Sequence, residues 1–330
     1  MKISLVLGLL FLVAGLGEVL GQEGKMKKQG GGGGEAAEMK EGGEASEGEV
    51  APADVVPSEE LIESLRGDLV RGELIFPMGN GVRKEKVHWD EYAWPFKAER
   101  WGMYWVDVRY YGLRKAMGAQ ARFRSDKMEL VKGFLKPGGK VDKPKTVRLG
   151  KLYLVGQGDQ ELMLLTPEDD PIYDFKLVSV QLVPAPEGEE VVRQDAESGE
   201  VVLLAKDATT DSVKMRYEPK EEKQCLGFWT NEEDSAQWVF GVTKPGTFEV
   251  VVTQGCGSGQ GGSVVEVSVG DDWAEEFEVK DTGGFQNWEE VSVGEVEIAE
   301  AGERVLRVQP KTKAAKAVLD VNRVVLKPVE

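Results

Sequence analysis

The sequence predicts an all-β protein of 330 residues that carries two β-sandwiches in tandem. Short apolar runs such as Val264–Val269 alternate with period two, and clusters of Gly, Pro and Asp separate them, as is typical of strands joined by turns. No long stretch has the 3.6-residue period of an amphipathic helix. The strand pattern of the first half also recurs in the second, which indicates two copies of one sandwich.

The amino terminus has the organisation of a signal peptide. Lys2 precedes an apolar run over residues 3–16. Residues with small or medium-sized side chains then precede Gly21, after which cleavage is predicted. The run is shorter than the roughly 20 residues that a membrane-spanning helix needs, and its flanks match a cleavable signal. We predict a signal peptide over residues 1–21 and an exported protein without a membrane segment, located in the periplasm, at the cell surface or outside the cell. An uncleaved membrane anchor is the alternative.

A disordered linker is predicted over residues 22–60. Gly30–Gly34 is a run of five glycines, and glutamates with small residues surround it. The stretch contains no aromatic residue, so it offers too little apolar surface to offset the entropy of an ordered chain. It is typical of a flexible acidic tether.

The internal repeat sets the two sandwiches at residues 61–188 and 189–330. In both halves a Gly turn and an aromatic residue precede an alternating strand, and later strands follow at matching distances. Pro184–Gly188 joins the halves. The matched segments are 101–108 with 245–252, 147–154 with 291–298, 158–164 with 302–308, and 177–183 with 323–326.

Charge and composition exclude several classes of function. A formal net charge of −17 argues against a nucleic-acid partner, because phosphate binding needs clustered positive charge. A single His excludes a multi-His zinc site, and two Cys exclude a zinc ribbon. No pattern of nucleophile and base is recognisable, so the sequence predicts no enzyme and no catalytic residue.

Four segments of the second half carry a resemblance to a known family. They are Phe228–Asn231, Gln237–Phe240, Lys244–Phe248 and Thr282–Trp288. These segments resemble family-6 carbohydrate-binding modules, which are jelly-roll sandwiches of the galactose-binding-like fold. The sequence is more similar to the C-terminal accessory domains of bacterial α-L-fucosidases and of exported planctomycete-type sulfatases.

The resemblance implies a sugar cleft made by loops at one end of the second sandwich. Phe285 matches the aromatic residue that stacks on the sugar, and Trp229 is expected to form the opposite wall. Stacking suits a sugar because its axial C–H face is apolar. The alternative is that both aromatic residues pack under the loops. Polar contacts to the hydroxyls are expected from Asn231, Gln286 and Asn287.

Two further interpretations concern calcium and a disulfide. By resemblance, Asp320 matches an Asp of the family's structural calcium site, but Lys206 stands where the family has a Glu, so no cofactor is predicted and calcium stays a possibility. The alternative for Asp320 is an Asp bonded to the backbone. On the sandwich pattern, Cys225 and Cys256 lie at the same end, and export favours their oxidation to a disulfide. Two buried thiols are the alternative.

These observations predict an exported, non-catalytic protein that holds a polysaccharide or an exported glycosidase or sulfatase that degrades one. The first alternative is a structural or protein-interaction module of the same fold that has lost sugar binding. The second is a stand-alone accessory part of a sulfatase or fucosidase system. An enzyme with an unrecognised site is the remaining class.

Overall fold

The computed structural model describes residues 71–85, 89–112, 119–125, 130–167 and 175–329. The predicted signal peptide 1–21 and linker 22–60 lie outside these residues. Within the described ranges, no helix has the length and apolar character needed to cross a membrane. The prediction of an all-β fold is confirmed, since the described elements are strands and short 3-10 turns.

The described residues of the first sandwich form nine strands in two antiparallel sheets. One sheet has the order β1-β9-β4-β7 and the other β2-β3-β8-β5-β6. The strands are β1 Leu74–Pro77, β2 Val82–Glu85, β3 Trp89–Ala98, β4 Gly102–Gly112, β5 Ala119–Ser125, β6 Leu130–Leu135, β7 Lys145–Leu154, β8 Gly158–Pro167 and β9 Phe175–Pro184.

The second sandwich also has two sheets, which are antiparallel except where β10 pairs with β15. One sheet has the order β10-β15-β20-β17-β18, with β12 on β15, and the other has the order β13-β14-β21-β16-β19, with β11 on β21. The strands are β10 Val192–Arg193, β11 Val201–Leu204, β12 Thr209–Asp211, β13 Arg216–Glu218, β14 Cys225–Gly227, β15 Ser235–Val242, β16 Gly246–Cys256, β17 Val264–Val269, β18 Trp273–Glu278, β19 Gly284–Ile298, β20 Gly302–Thr312 and β21 Asp320–Pro328.

The internal repeat is visible in the strand order. β4 lies between β9 and β7, and β16 lies between β21 and β19 in the same way. The β3-β8-β5-β6 order likewise matches β15-β20-β17-β18. Even the bulge is repeated: the register shifts after Val106, opposite Gly150, and after Val250, opposite Gly294. The tandem-sandwich prediction is therefore confirmed in topology.

Each sandwich has its own apolar core between its two sheets. In the first, Tyr104 and Val106 of β4 belong to one buried cluster with Leu162 and Leu164 of β8. The second core is separate and includes Trp238, Leu306, Val250 and Leu326 among its members. Contacts nevertheless join both sandwiches into one compact unit, so the boundaries 61–188 and 189–330 stay a prediction.

Candidate functional site

The sheet register places the predicted sugar-binding loops at one end of the second sandwich. Leu226 of β14 pairs with Val321 of β21. Gly255 of β16 pairs with Asp320, and Cys256 pairs with Gly284 of β19. The chain that follows β14 therefore lies at the same sheet end as the chain that precedes β19. We call this end, with Phe228–Asn231 and Thr282–Asn287, the loop end.

Trp229 does not form a cleft wall, and that prediction is wrong. Its side chain is 1% exposed and belongs to the core of the second sandwich. The Trp229 carbonyl accepts a hydrogen bond from the Val318 amide at 2.9 Å, which holds the backbone beside β21. Phe228, the preceding residue, is 44% exposed and has a positive φ of 60°. Of these two adjacent aromatic residues, only Phe228 presents its ring to solvent.

Phe285 remains half-exposed at the loop end. Its ring lies against Gly257, where an added Cβ would come within 2.6 Å of the ring. This close approach explains why a glycine stands at that position. Phe285 therefore presents part of its ring to solvent, as a stacking residue requires, and its role in sugar binding stays a prediction.

The three predicted polar residues form hydrogen bonds within the protein. The Gln286 side-chain amide donates to Asp320 Oδ2 at 3.4 Å, and that of Asn287 donates to the Thr282 carbonyl at 3.0 Å. Asn231 Oδ1 accepts from the Glu233 amide at 3.2 Å, as in an Asx turn. Part of the hydrogen-bonding capacity of each side chain is therefore used within the protein.

The groups around Asp320 do not fit calcium. Among the described residues, ligand atoms of Glu218, Cys225 and Asp320 all lie within 4.8 Å of one another. Lys223 Nζ donates to both carboxylate oxygens of Glu218 at 2.9 Å, so an ammonium group already supplies positive charge there. Calcium needs six to eight oxygen ligands, whereas this cluster offers two carboxylates together with a thiol and an ammonium. Burial raises the pKa of Asp320 to about 7.

The predicted disulfide between Cys225 and Cys256 is also wrong, because both cysteines are free and buried. Cys225 lies on β14 and Cys256 on β16, and β21 runs between these two strands. Two strand spacings amount to about 9.5 Å, beyond the roughly 7 Å between Cα atoms that a disulfide can bridge. Cys225 Sγ instead donates to Asp320 Oδ2 at 3.5 Å.

Both thiols are expected to resist modification in the folded protein. Burial raises the pKa of each, that of Cys256 to about 11, so the reactive thiolate is scarce at neutral pH. A thiol reagent at pH 8 should therefore label neither cysteine in native protein and both in denaturant, as counted by mass spectrometry. Denatured, unreduced protein without free thiols would contradict this.

A groove of about 600 Å³ crosses the outer face of the β15-β20-β17 sheet. Because side chains alternate along a strand, Trp238 and Phe240 point into the core while Gln237 and Val239 point outward. Gln237 pairs with Arg307 of β20, and Val239 pairs with Val305. The other lining residues are Ser268, Gly270, Asp271, Glu303 and Arg304.

The surface of this sheet groove combines apolar and polar side chains that alternate outward from the same sheet face. Val305 is 39% exposed and lies directly beside Val239. Arg307 Nη2 donates to Ser235 Oγ at 3.0 Å, while its Nε is buried without an acceptor among the described residues. A buried N–H that lacks an acceptor costs free energy. Alternation identifies these outward positions in the sequence, but only the sheet order brings them together.

The family comparison matches only part of the second sandwich. Residues 217–329 match a family described as a domain of unknown function, DUF5077. This segment is about a third of the chain. No curated protein matches.

Several solved structures are similar to the chain. A family-35 carbohydrate-binding module from Clostridium thermocellum has 14% identity and a TM-score of 0.32, over 38% of this chain and 97% of that one. The C-terminal family-6 module of a laminarinase from Zobellia galactanivorans has 16% identity and a TM-score of 0.28, over 39% and 98%. An α-L-fucosidase from Vibrio sp. strain EJY3 has 17% identity and a TM-score of 0.27, over 52% and 30%. At such low TM-scores the likeness carries no argument about a ligand.

Proposed function

We propose that this protein is a non-catalytic carbohydrate-binding protein and that the sheet groove holds the glycan. The observation that supports the proposal is the groove itself, which combines the apolar Val239 and Val305 with polar side chains on the same sheet face. Its volume of about 600 Å³ lies within the roughly 300–1,000 Å³ of typical ligand sites.

The lining suits the two surfaces of a sugar. The apolar C–H face of a pyranose covers the two valines, while its hydroxyl groups bond to the polar side chains beside them. Gln237 and Arg307 supply donors, and Asp271 and Glu303 supply acceptors. An open groove across a sheet also leaves both ends of a chain free, so the expected ligand is a polysaccharide rather than a single sugar.

Export and an accessory role complete the proposal. The signal-peptide pattern over residues 1–21 supports a location outside the cytoplasm, where polysaccharides are degraded. In that setting the protein would hold a polysaccharide close to an exported glycosidase or sulfatase.

Replacing Arg307 by Gln is expected to weaken glycan binding about tenfold or more. A hydrogen bond from a charged group contributes about 1.5–3 kcal/mol, and each 1.4 kcal/mol is a factor of ten in affinity. Gln237→Ala, at an exposed position of the same groove, should also weaken binding. A glycan array identifies the ligand, and calorimetry measures the affinity of each variant.

Two other variants make this test specific. Arg323→Gln removes the same charge from the other sheet, where the side chain is 42% exposed, and should leave binding unchanged. Phe285→Ala tests the loop end. If Phe285→Ala abolishes binding while Arg307→Gln does not, the glycan binds at the loop end and the groove assignment is wrong. If the array shows no glycan and a stable protein partner is captured, the alternative of an interaction module is supported.

A further inference from the structure

Two buried arginines meet where the two sandwiches touch. Arg100 lies between β3 and β4 of the first sandwich and is 4% exposed, and Arg216 begins β13 of the second and is 2% exposed. The Arg216 guanidinium carbon lies 3.5 Å from the ring centroid of Trp101 and 3.6 Å from that of Phe228. One aromatic ring from each sandwich therefore holds this guanidinium in place.

The hydrogen bonds of the two arginines differ. Arg100 donates to the Tyr104 hydroxyl, the Thr210 hydroxyl and the Met215 carbonyl. Within the part of the chain that the structure describes, Arg216 donates from Nη1 alone, to the Lys214 carbonyl at 2.9 Å. Its Nε and Nη2 are buried and have no acceptor among the described residues. Buried donors of a charged group nearly always have a partner, so an acceptor is expected beside Arg216.

A cavity of about 20 Å³ lies next to these groups. Both arginines line it together with Trp101, Thr210, Tyr217 and Glu187. The volume holds one or two species of the size of water. Glu187 is the one carboxylate among the lining residues, so two guanidinium groups face a single acid.

We infer that this cavity binds one monovalent inorganic anion of the size of chloride, held by the free N–H groups of Arg216. The excess positive charge of the lining favours an anion over a water molecule, because opposite charges attract more strongly at a partly buried site than in bulk water. The ion would accept hydrogen bonds from the N–H groups in the plane of the guanidinium. The aromatic rings do not supply acceptors for these N–H groups. Bound between Arg100 and Arg216, it would fix the orientation of the two sandwiches, independently of any glycan in the groove.

The melting temperature in different sodium salts tests this site in solution. Chloride at several times its dissociation constant should raise the melting temperature by about 2–4 °C over gluconate at equal ionic strength, because gluconate is too large for the cavity. Sodium bromide should raise the melting temperature as sodium chloride does. An equal melting temperature in gluconate and chloride would overturn the inference.

Two variants assign the effect to Arg216. Arg216→Met keeps an apolar stem between the rings and should lose the difference between chloride and gluconate. Arg148→Met is the matched control, because Arg148 also lies over a tryptophan ring, that of Trp105, but bonds to Asp107 through two nitrogens. This control should keep the chloride effect even if its melting temperature falls. Arg148→Met losing the effect as fully as Arg216→Met would contradict the assignment.

Crystals of the unmodified protein grown in sodium bromide give an answer that needs no variant. Anomalous scattering should place one bromide within hydrogen-bonding distance of Arg216 Nε or Nη2. An ordered water only, or bromide confined to the surface, would overturn the inference.

Discussion

Replacing Trp238 by Ala is expected to lower the free energy of unfolding by about 3–5 kcal/mol, the usual cost of removing a large aromatic side chain from a core. Trp238 is completely buried on β15 and belongs to the core of the second sandwich. Its indole Nε1 donates to the Leu204 carbonyl at 2.8 Å. The substitution therefore leaves a cavity between the sheets and a buried carbonyl without its donor.

Denaturant unfolding measures this loss, and two further variants separate its parts. Trp238→Phe fills most of the cavity but removes the donor, so its cost should be about 1–2 kcal/mol. Phe134→Ala removes an aromatic residue that is 66% exposed, and its effect should stay within about 0.5 kcal/mol. A loss below about 1 kcal/mol for Trp238→Ala would show that the indole does not support the core.

The strand pattern could be predicted from the sequence because it is local. Period-two alternation and turn residues report on neighbours in the chain, and the repeat carried this information from one half to the other. The alignment of residues 101–108 with 245–252 even pairs Val106 with Val250, the two positions of the shared bulge. The same alternation accounts for the position of Trp238 in the core.

The loop end could be predicted only in part. The sequence correctly predicts that the loops that contain Trp229 and Phe285 lie at one sheet end. It could not tell which aromatic residue points outward, because β14 has only three residues and Phe228 turns the chain with a positive φ. The cysteine pairing failed for a non-local reason, since β21 inserts between β14 and β16 although it comes last in the chain.

The junction between the sandwiches had no signal in the sequence. Arg100 and Arg216 lie far apart in the chain, and their proximity depends on how two finished sandwiches pack. Residue type alone does not distinguish a buried arginine from a solvated one. Arginine is rarely buried without partners, and the partners of these two come from distant parts of the chain. The same limit applies to the sheet groove, whose residues come from three strands that only the sheet order makes adjacent.

Replacing Arg100 by Met is expected to cost about 2–4 kcal/mol and to weaken the attachment of one sandwich to the other. Arg100 Nη1 lies 2.6 Å from both Thr210 Oγ1 and the Met215 carbonyl of the second sandwich. Methionine keeps most of the apolar stem but leaves these two buried groups without their donor. Each hydrogen bond from a charged group is worth about 1.5–3 kcal/mol, and relief from burying the guanidinium offsets part of the loss.

Differential scanning calorimetry distinguishes this effect from a general loss of stability. Arg100 connects two separate cores, so its removal should split unfolding into two transitions or broaden the single one, whereas Trp238→Ala should mainly destabilise the second sandwich. Arg323→Met, which removes a half-exposed surface arginine, should change stability by no more than about 0.5 kcal/mol. If Arg100→Met unfolds in one unchanged transition, apolar contacts such as that of Trp101 with Phe228 suffice to join the sandwiches, and the buried arginine is not what couples them.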